Sequence, residues 1–514
     1  MRAVDRDKLR PWLLAAGAGV SLALALPGPG LIPLVLVVPG LLRRALGGSR
    51  GWRAFRIGWA AGFAEWVVGV AWVVIVLHRY GHLFLPLAIL GLVLMAAILG
   101  LGWGLVGVGI SRVPPRWRIW ALPLALAAFE EVQRFPPWIF PWNPAAAVLT
   151  PLPVLLAPAP LVGAIGLSLL AYLLGSALDA LLRRESRRAG VVWLVATASA
   201  WVVLSIPSLR LFASPEPWGG PAVKVAAIQP DVPLEMRWDE ANEAEIERRV
   251  WRLTREAAGA GAAWVVWPES AVPRTLERDR EFRAAVEALA RDAHAWLTVG
   301  AIGFGASEDE YFNSVYSVSP GGLQPGRYDK IHLVPFGEYV PLAGRIAALK
   351  ALVREVGSFT PGTAPEPLTG PAGPTGIAVC YEVAYPSLFA AEVRRGAAVL
   401  ATITNDGWYG DSAAPRQHLA LAILRAAENR RYLVRAANTG ISAIVDPLGR
   451  VLARLDFGRQ GVITGEVRRI SALTPFARFG GTVRGGIVAL ALGAIICAIG
   501  RRDRVQSRPG GRSA

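Results

Sequence analysis

Eight long apolar runs recur along the chain, and each must be buried in lipid or in a protein core. The mean hydropathy is +0.40 and 53% of the residues are hydrophobic, which is more apolar than an ordinary soluble protein. Several runs are shorter than the roughly 20 residues of a straight crossing. The pattern still predicts a multi-span α-helical membrane domain. The runs cover residues 12–26, 31–46, 55–77, 84–110, 117–129, 161–182, 191–206 and 485–499.

These runs divide the chain into four predicted parts. Residues 1–210 form a helical membrane domain of about seven spans, residues 222–470 a polar extramembrane domain, residues 484–500 a final span, and residues 501–514 a basic tail. The amino terminus also resembles a secretory signal, but a second apolar run follows at once and favours a retained anchor. Glu65 is a charge inside a span, where either a functional role or a polar tether to a neighbouring helix is expected.

Basic residues fall on alternate connections between the runs. One set of connections holds 21 Lys and Arg, whereas the other set holds five near the membrane. The positive-inside rule therefore predicts that both termini are cytoplasmic and that residues 222–470 lie on the outer face of the membrane. That domain holds 28 basic against 29 acidic residues, so its near-neutral charge argues against a nucleic-acid partner.

The extramembrane domain alternates short β-branched runs with amphipathic stretches, which predicts an α/β layered fold. It contains no glycine-rich phosphate loop, and its histidines are scattered, so neither a nucleotide cofactor nor a metal is expected. Of the two cysteines, Cys497 lies in an apolar run, and no disulfide framework is expected. The predicted strands are 223–228, 262–267, 296–302, 312–318, 376–379 and 398–404, and the predicted helices are 240–258, 279–293 and 415–431.

Three chemically suited residues stand at loops or strand ends of this domain. Cys380 closes the strand-like run 376–379, Glu269 follows the run 264–267, and Lys330 lies in a polar loop. A thiol becomes a good nucleophile when a carboxylate accepts its proton and a cation favours the thiolate. Lys330 would also stabilise an oxyanion, together with a backbone amide near Tyr381. These residues predict covalent acyl transfer.

Several strings in the chain resemble the apolipoprotein N-acyltransferase family, a membrane branch of the nitrilase superfamily. They are VVWPES at 265–270, YDKIHLVPFGEYVP at 328–341, CYE at 380–382 and TNDGW at 404–408. The resemblance covers nearly the whole chain. It implies a nitrilase-like αββα sandwich facing the outer leaflet of the bacterial cytoplasmic (inner) membrane.

The resemblance also implies roles for individual residues. Glu269 is the proton acceptor, Lys330 stabilises the oxyanion and thiolate, and Cys380 is the nucleophile. A further group is expected to support the site or bind substrate: Glu338, Tyr381 and Glu382 as supports, and Trp238, Asn405 and Trp408 as substrate contacts.

Alternatives remain open for three of these assignments. Glu338 either holds Lys330 or Glu269 in place or forms a structural ion pair. Trp238 either contacts lipid or packs on the following helix. The segment 341–359 carries apolar residues at helical spacing and is either a lid on the membrane surface or part of ordinary packing.

The reaction that the resemblance implies is ping-pong acyl transfer. A glycerophospholipid donates an acyl chain to the cysteine, and the α-amine of an S-diacylglyceryl cysteine at an apolipoprotein amino terminus accepts it. No cofactor is needed, because the donor ester is already activated. A membrane-tethered nitrilase-type amidase or hydrolase would use the same three residues with water as acceptor. A transporter with an outer domain is the alternative from a different class, but it should show interrupted polar spans.

Overall fold

The computed structural model describes residues 6–135, 140–183, 186–213, 218, 220–237, 239–307, 310–339 and 359–506. The chain divides into two compact units. The first, the helical unit, comprises residues 1–209 and 479–514, and the second, the α/β unit, comprises residues 210–478. This division follows the composition change that predicted a membrane domain interrupted by a polar domain.

Helices of very different length build the helical unit. The longer ones are α1 (Arg6–Ala25), α2 (Val38–Ala45), α3 (Gly51–Gly69), α4 (Leu85–Arg112), α5 (Arg118–Val132), α6 (Ala159–Leu181) and α7 (Arg187–Phe212), and a last helix covers Pro475–Gln506.

Four of the described helices are long and apolar enough to cross a membrane, namely Leu85–Arg112, Ala159–Leu181, Arg187–Phe212 and the segment Pro475–Cys497. A fifth crossing results if Gly51–Gly69 and Val73–Tyr80, which meet at 61°, form one bent span. The run 31–46 forms only a 3-10 turn and the eight-residue α2. Four or five crossings therefore meet these criteria, and the prediction of about eight remains a prediction.

Glycines allow the backbones in the helical unit to approach closely. A Cβ on Gly19 would lie 2.0 Å from the carbonyl oxygen of Ala61, and one on Gly58 would lie 2.3 Å from that of Trp103. Such small-residue contacts are typical of membrane helices. Glu65 is buried and its Oε1 accepts a hydrogen bond of 3.2 Å from the side chain of Asn143. This contact favours the tether interpretation of Glu65.

Two β-sheets form the centre of the α/β unit. The strands, β1 to β12 in chain order, are Ala222–Gln229, Trp264–Val266, Trp296–Phe304, Tyr311–Ser319, Gly322–Leu323, Tyr328–Asp329, Thr375–Val379, Val399–Thr404, Leu433–Ala437, Ser442–Val445, Val451–Leu455 and Gly461–Arg468. The first sheet has the order β12-β1-β2-β3-β4-β5, with β6 also paired to β4, and the second has the order β11-β10-β9-β8-β7.

Side-chain alternation along the strands creates two apolar layers. In β2, Trp264 and Val266 pack between the sheets with residues such as Ile377 of β7. Val265 faces the opposite way and packs with Phe282 of a covering helix. The helices are α8 (Glu243–Gly259), α9 (Arg280–Asp292), α10 (Pro386–Arg394) and α11 (Ala414–Asn429).

Helices α8 and α9 cover the first sheet, and α10 and α11 lie against the second. The layers are therefore helix, sheet, sheet, helix, as the family resemblance implied. Strands β1 to β3 and β7 to β9 are parallel. Residues that follow the carboxyl ends of neighbouring parallel strands can meet at one edge of the sandwich, and the candidate site is built there.

Candidate active site

Cys380 stands at a sharp turn between a strand and a helix. It follows β7 directly and begins the 3-10 helix Cys380–Ala384. Its φ angle is 53°, in the left-handed region that residues with a Cβ avoid at a cost of about 1–3 kcal/mol. A nucleophile on a strained strand-to-helix turn projects its side chain out of the strand. Local geometry at Cys380 therefore fits a nucleophile better than a packing residue.

Glu269 lies beyond the end of β2 and is held from both sides of its carboxylate. Its Oε1 accepts a 2.7 Å hydrogen bond from the side-chain amide of Asn313, and its Oε2 accepts one of 3.1 Å from the backbone N–H of Asn405. The buried guanidinium of Arg237 donates to the carbonyl oxygens of Glu269, at 3.1 Å, and Ser270. The carboxylate and its backbone are thus fixed.

Lys330 follows β6 and is 1% exposed, so its charge requires partners. Its Nζ lies 2.8 Å from Oε1 of Glu338 and 3.7 Å from Oε1 of Glu269. Burial alone would lower the pKa of Lys330, but the charges of the two glutamates raise it above its usual value. Glu338 also accepts a 2.8 Å hydrogen bond from the backbone N–H of Val334. Glu338 therefore pairs with Lys330 and fixes its position.

The sulfur of Cys380 lies close enough to Glu269 and Lys330 for both charges to act on it. Burial and the charge of Glu269 raise the pKa of the Cys380 thiol to about 12, although the charge of Lys330 lowers it. The resting thiol is therefore protonated at neutral pH. A base must remove its proton during attack, and Glu269 is the candidate base because its carboxylate charge acts on the thiol.

This charge balance predicts the pH dependence of thiol alkylation. In a Cys497→Ser background, the rate at which iodoacetamide modifies Cys380 should rise about tenfold per pH unit between pH 7 and pH 9, because only the thiolate reacts. The rate should rise rather than fall with pH because the pKa of the Cys380 thiol lies above this range, so the thiolate fraction grows with pH. Mass spectrometry of the modified protein measures the rate, and a flat profile would contradict a protonated resting thiol.

Glu382 connects the loop that follows Lys330, called here the lysine loop, to β7, the strand that ends before Cys380. Its carboxylate is fully buried and accepts four hydrogen bonds. The donors are the hydroxyl of Tyr328 at 2.9 Å and the backbone amides of Ile331 at 2.7 Å, His332 at 3.0 Å and Val379 at 2.8 Å. Burial raises the pKa of Glu382 to about 7 against the effect of these donors. These contacts favour the predicted supporting role of Glu382.

Tyr381 is buried beside the nucleophile, and its ring contacts that of Tyr385 edge to face at 5.6 Å. Tyr385 in turn stacks on the ring of His332 at 3.9 Å. These contacts place Tyr381 in an aromatic cluster beneath the lysine loop. They agree with a supporting role.

The predicted substrate contacts have different outcomes. The side chain of Asn405 is used inside its own turn, where Oδ1 accepts a 3.2 Å hydrogen bond from the N–H of Gly407. Trp408 is 39% exposed and remains a candidate contact for lipid. Trp238 and all but the last residue of the segment 341–359 lie outside the described residues, so their predictions remain untested.

Asn313 is a site residue that the sequence did not single out. It lies on β4, and its amide also donates a 3.1 Å hydrogen bond to Oε1 of Glu338. One side chain therefore bridges both carboxylates that contact Lys330. A polar residue in a buried strand was the only signal available. Sequence reasoning also missed four residues whose contacts join separate segments of the chain. They are Arg237, His418, Asp406 and Arg435.

Replacing Asn313 by alanine should lower the rate of acyl-enzyme formation about tenfold to hundredfold, because Glu269 would lose its shortest hydrogen bond and its orientation. Asn313→Asp should be more damaging, since it adds a third carboxylate beside Glu269 and Glu338. Asn242→Ala, in an exposed turn, is the matched control. Equal rates in the wild type and Asn313→Ala, measured by mass spectrometry, would contradict a positioning role.

Comparison with known proteins identifies the family. A model for the N-terminal domain of apolipoprotein N-acyltransferases matches residues 18–178, and a carbon-nitrogen hydrolase model matches residues 224–472. A protein of Geobacter metallireducens named apolipoprotein N-acyltransferase is 34% identical over 98% of this chain and 98% of its own length. The chain belongs to the apolipoprotein N-acyltransferase family.

Further comparisons agree with this membership. A relative of the same name from Azotobacter vinelandii is 34% identical and covers 99% of both chains. The crystal structure of Nit3 from Saccharomyces cerevisiae, a member of the nitrilase superfamily, is 19% identical, with a TM-score of 0.38 over 48% of this chain and 90% of its own. Membership of the apolipoprotein N-acyltransferase family, expected from sequence motifs, is confirmed by these relatives, and the layers of the α/β unit confirm the αββα sandwich that the resemblance implied.

Proposed function

We propose that this protein transfers an acyl chain from a glycerophospholipid to the α-amino group of an S-diacylglyceryl cysteine at the amino terminus of apolipoproteins. Family membership supports the overall activity. The observation that carries the mechanism is that Glu269, Lys330 and Cys380 come from three separate segments and are buried, with Nζ of Lys330 3.7 Å from Oε1 of Glu269 and the charges of both acting on the thiol. Cys380 would carry the acyl group as a thioester between two half-reactions.

In the first half-reaction, Glu269 accepts the thiol proton as the sulfur of Cys380 attacks the ester carbonyl carbon of the donor. Cys380 is buried, so water is largely excluded from the sulfur. The ammonium of Lys330 and the backbone N–H of Tyr381 would stabilise the oxyanion. The bond between the carbonyl carbon and the glycerol oxygen then breaks. Glu269 returns the proton to that oxygen, and lysophospholipid leaves.

In the second half-reaction, the α-amine of the acceptor attacks the thioester carbonyl. Glu269 accepts a proton from the amine, the bond between carbon and sulfur breaks, and the sulfur regains a proton. The products are an amide on the acceptor and the free thiol of Cys380. Atoms and protons balance without an added cofactor, because the donor ester supplies the activated acyl group.

We place this chemistry at the outer face of the cytoplasmic membrane, with both termini inside, because basic residues alternate between connections. Both substrates are anchored in lipid. A catalytic domain attached to membrane helices would meet them at a high effective concentration. The partly exposed ring of Trp408 is our candidate for a direct lipid contact.

The decisive experiment gives the purified protein a phospholipid with a labelled acyl chain and a synthetic diacylated lipopeptide. The expected result is a triacylated lipopeptide and one lysophospholipid per transfer, measured by mass spectrometry. A lipopeptide with an acetylated α-amine is the matched control and should remain unchanged.

A nitrilase-type hydrolase would use the same three residues and give a different result. It would release labelled free fatty acid at the same rate with or without the lipopeptide, and no triacylated product would form. That outcome would overturn the proposed transferase activity while leaving the covalent mechanism at Cys380 in place.

A further inference from the structure

A buried histidine contacts the backbone of the nucleophile. Nε2 of His418 lies 2.9 Å from the carbonyl oxygen of Cys380. A carbonyl oxygen can only accept, so Nε2 must carry the proton in this hydrogen bond. His418 comes from α11, 38 residues beyond Cys380, and is completely buried. The catalytic triad itself does not include this histidine.

The contact determines the direction of a second group. The carbonyl of Cys380 and the N–H of Tyr381 belong to one peptide group, which is planar and trans. Fixing the carbonyl toward His418 therefore points the N–H of Tyr381 the opposite way. This N–H is the backbone oxyanion donor of the proposed mechanism. The left-handed φ of 53° at Cys380 is a strained conformation that surrounding contacts must offset, and the hydrogen bond from His418 is one such contact.

The ring of His418 is itself held by buried charges. Its Nδ1 lies 2.8 Å from Oδ1 of Asp406 and 3.0 Å from Nη2 of Arg435, and Arg435 also donates to Oδ2 of Asp406 at 2.7 Å. The hydroxyl of Thr404 donates to Asp406 at 3.0 Å. Because all of these side chains are fully buried, the ring has one defined orientation.

The segment 404–406, which contains Asp406, also contacts the proposed general base, Glu269. Asn405, between Thr404 and Asp406, donates its backbone N–H to Glu269. Three consecutive residues at the end of β8 therefore hold the general base directly and the nucleophile through His418. This arrangement gives the short segment 404–406 control over the relative positions of both groups.

We propose that His418, oriented by Asp406 and Arg435, is a positioning residue that aims the N–H of Tyr381 at the oxyanion. The proposal rests on the covalent mechanism of the proposed function. It extends that mechanism to a residue that acts through the carbonyl oxygen of Cys380. Its role is to keep the peptide after the nucleophile in the productive orientation.

The test compares two reactions of the same sulfur in a Cys497→Ser background. Attack on an ester forms an oxyanion, whereas alkylation by iodoacetamide does not. His418→Phe should lower kcat for hydrolysis of p-nitrophenyl butyrate about a hundredfold with little change in KM, because one oxyanion donor is misaligned. Alkylation of Cys380 should change less than about threefold.

His418→Gln keeps a donor within reach of the Cys380 carbonyl and should restore most of the activity, whereas the shorter Asn should not. If His418→Phe fails to fold, as judged by gel filtration, the comparison of kcat between His418→Gln and His418→Asn tests the proposal instead. Equal kcat values for Gln and Asn, or alkylation that falls as much as ester hydrolysis, would overturn the proposal. The small ester requires no lipopeptide, so this result is separate from the test of acyl transfer.

Discussion

Cys380→Ala is expected to abolish formation of the acyl-enzyme and of triacylated product completely. The proposed thioester has no other site, since the second cysteine, Cys497, lies in the apolar carboxyl-terminal helix. Intact-protein mass spectrometry after exposure to phospholipid should show one added acyl chain on the wild type. Neutral hydroxylamine should remove it, as expected for a thioester. Cys380→Ser should also carry no acyl chain, because a serine hydroxyl is far harder to deprotonate.

Cys497→Ser is the matched control and should acylate at the wild-type rate. Because Cys380 is small and packs among apolar residues, alanine should preserve the fold, which circular dichroism in detergent can verify. Triacylated product formed by Cys380→Ala at the wild-type rate would refute covalent catalysis at this residue. An acyl chain on Cys497 in that variant would point to nonenzymatic transfer.

The elements that carry the site could be predicted because each has a strong local pattern. The runs before Glu269 and Cys380 are short, apolar and β-branched, and the structure places β2 and β7 there. Local sequence also placed Lys330 and Glu338 in one loop, where they form an ion pair. Patterns of this kind depend only on residues that are close in sequence, so the strands and the loop could be predicted from the sequence alone.

The supporting contacts could not be predicted because they join distant segments. Asn313 reaches Glu269 across 44 residues, and Asn405 reaches it across 136. His418 was treated as one of several scattered histidines, since nothing in its helix indicates that it contacts the carbonyl of Cys380. Apolar runs also do not fix the local structure within them, because the run 31–46 forms a 3-10 turn and the short helix α2.

Lys330 is a single buried cation that interacts with two acids, Glu338 and Glu269, and with the thiol of Cys380. Lys330 lies nearer to Glu338 than to Glu269, at 2.8 Å against 3.7 Å. Glu338 can therefore balance the lysine while Glu269 takes up a proton. Asn313 donates a hydrogen bond to each of the two acids. The site thus retains a compensated lysine throughout the cycle that we propose.

Glu269→Gln is expected to lower acyl transfer at least about a thousandfold, because the amide cannot accept the thiol proton. The same change should make Cys380 more reactive toward iodoacetamide at pH 7. The charge of Glu269 raises the thiol pKa, so its removal lowers that pKa and increases the thiolate fraction. Loss of catalysis with a gain in alkylation would distinguish a missing base from a damaged site.

Lys330→Met should abolish transfer as well but change alkylation in the opposite direction. Lys330 lowers the thiol pKa, so its loss raises that pKa and slows alkylation. Because the single variant leaves Glu338 unpaired, the double variant with Glu338→Gln tests the effect without an uncompensated buried acid. Glu366→Gln, on the surface, is the matched control. If Glu269→Gln and Lys330→Met shift alkylation in the same direction, the opposing effects of the two charges on Cys380 are wrong.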